Sequence, residues 1–312
     1  MLRWIWLPVV GLVLLVASCE RKSPDAARTA APASVNRTNQ QVFQVKGVIV
    51  ELKPAEKSVR IQHEAIPGYM EAMTMPFDVK DTNELSGLEA GDTVAFRMIV
   101  TEKEGWIDQI KKVSSPRTNG PVANTLPTNG PFRFVRDVEP LNVGDPLPDY
   151  HFTNHLGEPV SFSQFRGQAL AFTFIFTRCP FPNFCPLMSN NFRDVQDALL
   201  KNPNAPTNWH LITISFDPEW DTPPRLKAYA ERFNCDPQHW SFVTGDLIDI
   251  TAIAEQVGEQ FWRDTTGGAG INHNLRTVVV DARGRVQSII RENKWKPADL
   301  VAEIQKAAEA KP

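Results

Sequence analysis

The tetrapeptide Thr118-Asn119-Gly120-Pro121 recurs as Thr128-Asn129-Gly130-Pro131, and this doubled breaker divides the chain. Asn-Gly and Gly-Pro pairs favour turns and interrupt regular structure, so residues 114–131 read as a flexible linker between two bodies. A chain of 312 residues has enough length for two domains that each bury a core of their own.

Upstream of the break, residues 42–52, 58–62, 73–79, 93–100 and 106–113 are short runs of β-branched or alternating character. Five strands in so short a stretch predict a small, OB-like β-barrel over residues 42–113. Gly47 inside the first run fits a bulge or a barrel bend.

Downstream the pattern changes to strands alternating with helices, an α/β layer arrangement over residues 132–312. Strands are expected at 170–176, 210–215 and 240–244. Helices should follow Pro186 and span 222–233, 248–261 and 297–310. A hairpin, 277–280 with 286–290, turns at Asp281-Ala282-Arg283-Gly284, and a shorter one lies near residues 150–162.

Charge narrows the partners. Lys plus Arg number 33 against 36 Asp plus Glu, a net charge of −3 without a long basic block. Nucleic acid is therefore set aside, because neutralising phosphates requires clustered cations.

Residues 1–18 combine Arg3, a short apolar stretch and small residues before Cys19, which is a targeting segment rather than part of a fold. Val16-Ala17-Ser18-Cys19 resembles the lipobox of bacterial lipoproteins, which implies cleavage and lipidation at Cys19. An uncleaved anchor or an ordinary secretory signal is the alternative, and export follows in either case. Residues 19–41, rich in Ala, Ser, Pro, Arg, Asn and Gln, read as a disordered tether holding the body off the membrane. Export leaves Cys179, Cys185 and Cys235 in an oxidising compartment, an odd number that permits one pair and one leftover.

Cys179 and Cys185 stand at the end of a buried strand and the start of a helix, with Pro186 suited to the first helical position. Backbone N–H groups and the helix dipole there favour thiolate, the redox-active and metal-binding form. From residues alone the pair is either reactive or a structural disulfide. His273, in Gly270-Ile271-Asn272-His273-Asn274, taken alone is more simply a hydrogen-bonded loop histidine.

Taken with Ser215-Phe216-Asp217-Pro218-Glu219-Trp220-Asp221-Thr222-Pro223, these segments resemble the Sco/SenC family. Its members are thioredoxin-fold proteins that bind copper and assist assembly of the dinuclear copper site of cytochrome c oxidase. The resemblance implies copper ligands at Cys179, Cys185 and His273, with thiolates suited to Cu(I) and imidazole to either oxidation state. One departure is clear: five residues separate the cysteines, where the family usually has three. Asp217 and Asp221 are expected to cap the helix beginning near Thr222 more than to orient ligands. Cys235 reads as a small, partly buried residue without a role.

Of six methionines in the chain, Met70, Met73 and Met75 fall close together, shortly after His63. On a strand Met73 and Met75 share a face, so they either line the barrel core or present two thioethers side by side. Residues 63–75 resemble the metal loop of the CusF-type periplasmic copper and silver chaperones, which bind Cu(I) through one His and a Met-Thr-Met run. That implies ligands at His63, Met73 and Met75, with Met70 as an additional donor. The family's capping tryptophan is missing from the loop; Tyr69, Met70 and Trp106 are the candidates to replace it.

Together these resemblances imply a periplasmic, lipid-anchored copper chaperone. Its partners would be the copper-site subunit of cytochrome c oxidase and other copper chaperones. The alternatives are a thiol-disulfide oxidoreductase using Cys179 and Cys185 on the oxidase cysteines, or copper sequestration for tolerance. Neutral thioethers should hold Cu(I) more loosely than thiolates. Over a linker of about 18 residues, spanning about 25 Å as a coil, transfer from the first domain to the second would be intramolecular.

Overall fold

The computed structural model describes residues 40–114, 138–263 and 271–310. The expected leader and lipidation site at Cys19, the expected tether and the expected linker beyond Ser114 fall outside the described residues.

The first domain has five strands: β1 (Gln41–Lys53), β2 (Ser58–His63), β3 (Met73–Asp78), β4 (Thr93–Val100) and β5 (Gly105–Ser114). They pair antiparallel in the order β3-β2-β1-β4-β5. A parallel bridge between Val79 and Ile107 draws the two outer strands together, so the sheet curls over Ile49, Ile61, Phe77, Phe96 and Ile107. Pro76, which lacks an N–H, is tolerated because β3 is an edge strand.

Of the two readings of Gly47, a bulge or a barrel bend, the bulge falls elsewhere, at Val50. Pairing passes from Ile49 opposite Ile61 to Glu51 opposite Arg60, leaving Val50 as the extra residue. Gly47 serves close approach: a Cβ there would sit 2.5 Å from Ile61 Cγ2 and 2.7 Å from the Gln62 carbonyl oxygen.

The second domain runs β6 (His151–Asn154), β7 (Pro159–Ser161), β8 (Ala169–Ile175), α1 (Cys185–Lys201), β9 (Trp209–Ser215), α2 (Pro223–Glu231), β10 (Trp240–Thr244) and α3 (Leu247–Gln256). There follow β11 (Phe261–Arg263), β12 (Ile271–His273), β13 (Arg276–Val280), β14 (Val286–Arg291) and α4 (Pro297–Ala308). One mixed sheet has the order β14-β13-β8-β9-β10-β6-β7, with β8, β9 and β10 parallel. Every residue of these three strands is buried, as expected for parallel strands covered on both faces. This is the mixed α/β, thioredoxin-like architecture expected from the sequence.

The helix predicted to reach residue 261 stops at Gln256. Gly258 adopts φ +74°, its N–H bonds the Glu255 carbonyl at 3.0 Å, and the Glu259 N–H bonds the Ala254 carbonyl at 2.8 Å. That pair of bonds is a Schellman stop, which only a left-handed residue allows. It turns Glu259 into the interior and releases Phe261 into the β11–β12 hairpin that carries His273. Among the described residues no helix is long and apolar enough to cross a membrane.

Candidate metal centres

Strand β8 delivers the chain to Cys179, and α1 begins at Cys185, with Pro186 at its second position rather than its first. Cys185 is buried, Cys179 is partly exposed, and both are free thiols. The hairpin end brings His273 Nε2 to 3.8 Å from the Cys185 sulfur. Nδ1 of His273 lies 2.5 Å from the Asn274 carbonyl, which only accepts, so Nδ1 carries a proton and Nε2 faces the sulfurs. Phe176, Phe184 and Phe216 surround the imidazole, the last with its centroid at 4.8 Å.

Charge is shared unequally in this cluster. Cys179 is lowered to about 5, chiefly by the hydrogen bond from the Cys185 thiol and, against the opposing effect of burial, by His273. Burial and the Cys179 charge push Cys185 well up. Burial pulls His273 down, but Cys179 and Glu259 outweigh it and hold the imidazole up to about 9. Glu259 Oε1 is 3.5 Å from His273 Nδ1, and burial lifts this carboxyl to about 7. The resting centre is thus a Cys179 thiolate beside a protonated imidazole, with Cys185 keeping its proton. Among the described residues, no three His, Cys, Asp or Glu side chains form a ready-made coordination shell. The two sulfurs and the ring are neighbours at hydrogen-bonding range.

Neither aspartate caps α2 as expected. The N-cap is Thr222, which makes no side-chain cap bond. Asp221 is fully buried and accepts from the Thr177 N–H at 3.0 Å, the Thr177 hydroxyl, and the Ser215 hydroxyl at 2.5 Å. Asp217 binds Arg178 Nη2 at 2.6 Å, and the Arg178 guanidinium lies 4.4 Å from the Trp220 ring. These carboxylates fix the two residues that precede Cys179. Cys235 donates to the Trp240 carbonyl at 3.1 Å, and burial raises it to about 12, an inert thiol.

In the first domain, His63 and Met73 are direct cross-strand partners, and Met75 follows on the same inward face. Met70 is buried with them. His63 Nδ1 lies 2.7 Å from the Glu64 carbonyl, so Nδ1 is the donor, while the buried Nε2 has no partner. Burial lowers the His63 pKa, which keeps the ring neutral. A buried, unpartnered lone pair beside thioethers fits a soft cation. Both histidines therefore use Nδ1–H on the carbonyl of the next residue and leave Nε2 to the site.

The candidate aromatic neighbours separate. Trp106 lies on β5 under the Lys80 ammonium, 4.6 Å from its centroid, and does not line the methionine cleft. Tyr69 stacks on Phe43 at 4.6 Å and donates its hydroxyl to the Pro180 carbonyl at 3.0 Å. The ring against the barrel's interior is Phe181, from the cysteine loop of the other domain.

Members of both groups line one cleft, Met70, Met73 and Met75 together with Cys179, His273 and Phe181. Asn272, next to His273, accepts the Thr74 N–H from the free edge of β3 at 2.8 Å. Sequence reading missed Glu259, Phe181, Asn183 and Asn272. For Phe181 and Asn183 the unusual cysteine spacing was the available signal; for Glu259, Gly258 ahead of it marked the helix stop.

Two protein-family models match the chain, one over each domain. The SCO1/SenC family model matches residues 141–309, more than half the chain, and the chain belongs to this family. The model of the copper binding periplasmic protein CusF matches residues 42–112. A SCO1 protein homolog of Bacillus subtilis is 34% identical over 186 residues, 58% of this chain and 94% of that protein. Among solved structures, BsSco, described as a member of the Sco family of cytochrome c oxidase assembly proteins, is 26% identical. It covers 56% of this chain and 99% of its own at a TM-score of 0.47. Copper-bound ScoI of Bradyrhizobium japonicum is 24% identical, covering 53% and 99%, with a TM-score of 0.43.

Proposed function

We propose that this protein is a copper chaperone of the bacterial envelope, anchored through Cys19 and facing the periplasm. It carries copper on Cys179, Cys185 and His273 and assists assembly of the dinuclear copper centre of cytochrome c oxidase. His63, Met73 and Met75, with Met70, form a second Cu(I) site that acts as acceptor or donor for the first. Residues 42–113 and 132–312 are the two working domains.

The observation that carries this reading is that Met70, Met73 and Met75 line one cleft with Cys179 and His273, while His273 Nε2 lies 3.8 Å from the Cys185 sulfur and the buried Nε2 of His63 has no partner. Copper is cargo here, and the chain's own groups prepare for it. Cys179 is already thiolate at neutral pH and needs no deprotonation. The Asn274 and Glu64 carbonyls hold the Nδ1 protons, so that Nε2 is the nitrogen left for a metal, on His63 as it stands and on His273 once its Nε2 proton has gone. Family membership supports the oxidase as destination, and the CusF match supports copper as cargo and a place outside the cytoplasm.

X-ray absorption on the Cu(I)-loaded full chain tests both sites, with sulfur-plus-nitrogen coordination and two ions per chain expected. In cells, a His273→Ala strain should lose oxidase copper. Normal oxidase copper in that strain would defeat the delivery role.

A second reading, thiol-disulfide exchange on the oxidase cysteines, draws support from one feature. A partly exposed thiolate at Cys179 beside a buried thiol at Cys185 is the arrangement of an attacking and a resolving cysteine. His273→Ala separates the two readings, because disulfide reduction by the variant would persist while copper retention would not.

A further inference from the structure

The loop between the two cysteines does more than connect them. Phe181, at its centre, is 2% exposed and belongs to the barrel's hydrophobic core, with its ring centroid 5.9 Å from that of Phe77. Its seat is Gly105: a Cβ there would lie 2.6 Å from Phe181 Cζ, so the barrel leaves a gap of the ring's shape. Asn183, two residues on, accepts the Gly105 N–H and donates to the Gly105 carbonyl, each at 2.8 Å, and reaches Asp78 at 2.8 Å. The Tyr69 hydroxyl on the Pro180 carbonyl and Thr74 on Asn272 close the other side. Each contact joins the methionine domain to a residue within the cysteine loop or adjacent to His273.

We propose that the Cys179–Cys185 loop is a docking peg that seats the methionine site over the cysteine–histidine site. Cu(I) then passes from His63, Met73 and Met75 to Cys179, Cys185 and His273 inside one cleft, without release to water. This rests on the copper reading above. The metal stays Cu(I) throughout: the neutral thioethers and the neutral His63 ring leave as the Cys179 thiolate, then Cys185 and His273, enter, and the two protons displaced, one from the Cys185 thiol and one from His273 Nε2, go to water. Direction follows from donor charge, since two thiolates hold Cu(I) more tightly than thioethers. The lengthened spacing between the cysteines is thereby explained, because it supplies the residues that make the peg.

Selenomethionine-labelled full-length protein provides the test. With Cys179 and Cys185 oxidised to a disulfide, one equivalent of Cu(I) should show a copper–selenium distance in X-ray absorption. A phosphine reductant then reopens the disulfide, the phosphine taking oxygen from water as two thiols form, while a water-soluble Cu(I) chelator is added at two concentrations. In the wild type, selenium ligation should give way to thiolate ligation, with the chelated fraction independent of chelator concentration. In Gly105→Ala and Asn183→Ala, which break the seat from opposite domains, about tenfold more chelator should capture up to about tenfold more copper, as for a metal crossing bulk solvent. Chelator-dependent capture in a wild type that shows both ligation states would overturn docked transfer and leave the copper sites standing. Absence of selenium ligation at the start would bring down the methionine site and the transfer together.

Discussion

Asn183 pairs with both backbone groups of Gly105, its carboxamide oxygen accepting the N–H and its amide nitrogen donating to the carbonyl, each at 2.8 Å. A side chain from the cysteine loop thus mimics a neighbouring strand at the start of β5. Its own carbonyl is held by Asn293 Nδ2 at 2.6 Å, so the loop is braced from its own domain as well. Removing the carboxamide by Asn183→Ala leaves two partly buried backbone groups without partners, at a cost of about 1–3 kcal/mol. Hydrogen exchange at the Gly105 amide should accelerate in this variant, while exchange deep in β1 stays unchanged.

The lowered Cys179 pKa gives a second expectation. Alkylation requires thiolate, and a pKa held near 5 keeps that form populated well below the range of an ordinary thiol. Iodoacetamide should therefore modify the metal-free, reduced protein at Cys179 at pH 6, with the rate falling only as pH drops through about 5. Cys185, buried and raised, and Cys235, lifted to about 12, should remain unmodified at that pH. Peptide mapping of the alkylated protein distinguishes the three. Equal labelling of Cys179 and Cys235 at pH 6 would contradict the shift.

Much of the fold was legible because its signals are local. The span of β4, residues 93–100, and that of β10, residues 240–244, follow from runs rich in β-branched and aromatic residues that end at polar breaks. The grouping of His63, Met73 and Met75 was equally legible, since they fall in one short segment and pair across β2 and β3. What escaped was long-range. Asp221 looks like a cap because it precedes a Thr-Pro-Pro helix start, yet its carboxylate is taken by Thr177 and Ser215 from two parallel strand ends. The burial of Phe181 in the other domain's core has no periodicity to announce it. Helix α3 was overrun because apolar residues continue past Gln256, and the stop depends on one left-handed glycine.

Asp221 itself supports a third prediction. Asp221→Ala strips the acceptor from the Thr177 N–H, the Thr177 hydroxyl and the Ser215 hydroxyl at the base of the cysteine loop. Buried donors left in this way cost on the order of 3 kcal/mol. Chemical denaturation followed by fluorescence should show a lower midpoint with an unchanged slope. Cys179 should also lose its fixed relation to Cys185, so that its alkylation profile moves to higher pH.

The methionines pose a question of core against ligand, and a volume-conserving swap separates the two. Met73→Leu with Met75→Leu keeps apolar side chains of similar size inside the barrel, a change that costs less than about 1.5 kcal/mol each. Thermal stability should barely move. Anaerobic Cu(I) titration against a competing chelator should fall from two ions per chain to one. The converse variant, Cys179→Ser with Cys185→Ser, should also retain one. Two ions retained by the leucine variant would assign these methionines to packing alone.

Glu259 and His273 supply the last expectation, and its sign follows from their charges. The Glu259 carboxylate, 3.5 Å from Nδ1, favours the protonated imidazole and together with Cys179 holds His273 up to about 9 despite burial. Glu259→Gln removes that anion and keeps the shape, so burial opposes a weaker attraction and the pKa of His273 must fall. Because a raised histidine pKa stabilises the fold below its unfolded value and loses that contribution as pH rises through the folded one, the wild type should lose stability from about pH 6.5 to about 9 on this account. In the variant that decline should shrink and end at a lower pH. Imidazole resonances followed by NMR in metal-free, reduced protein report the shift directly, and an unchanged midpoint in Glu259→Gln would leave Cys179 as the sole partner that keeps His273 charged.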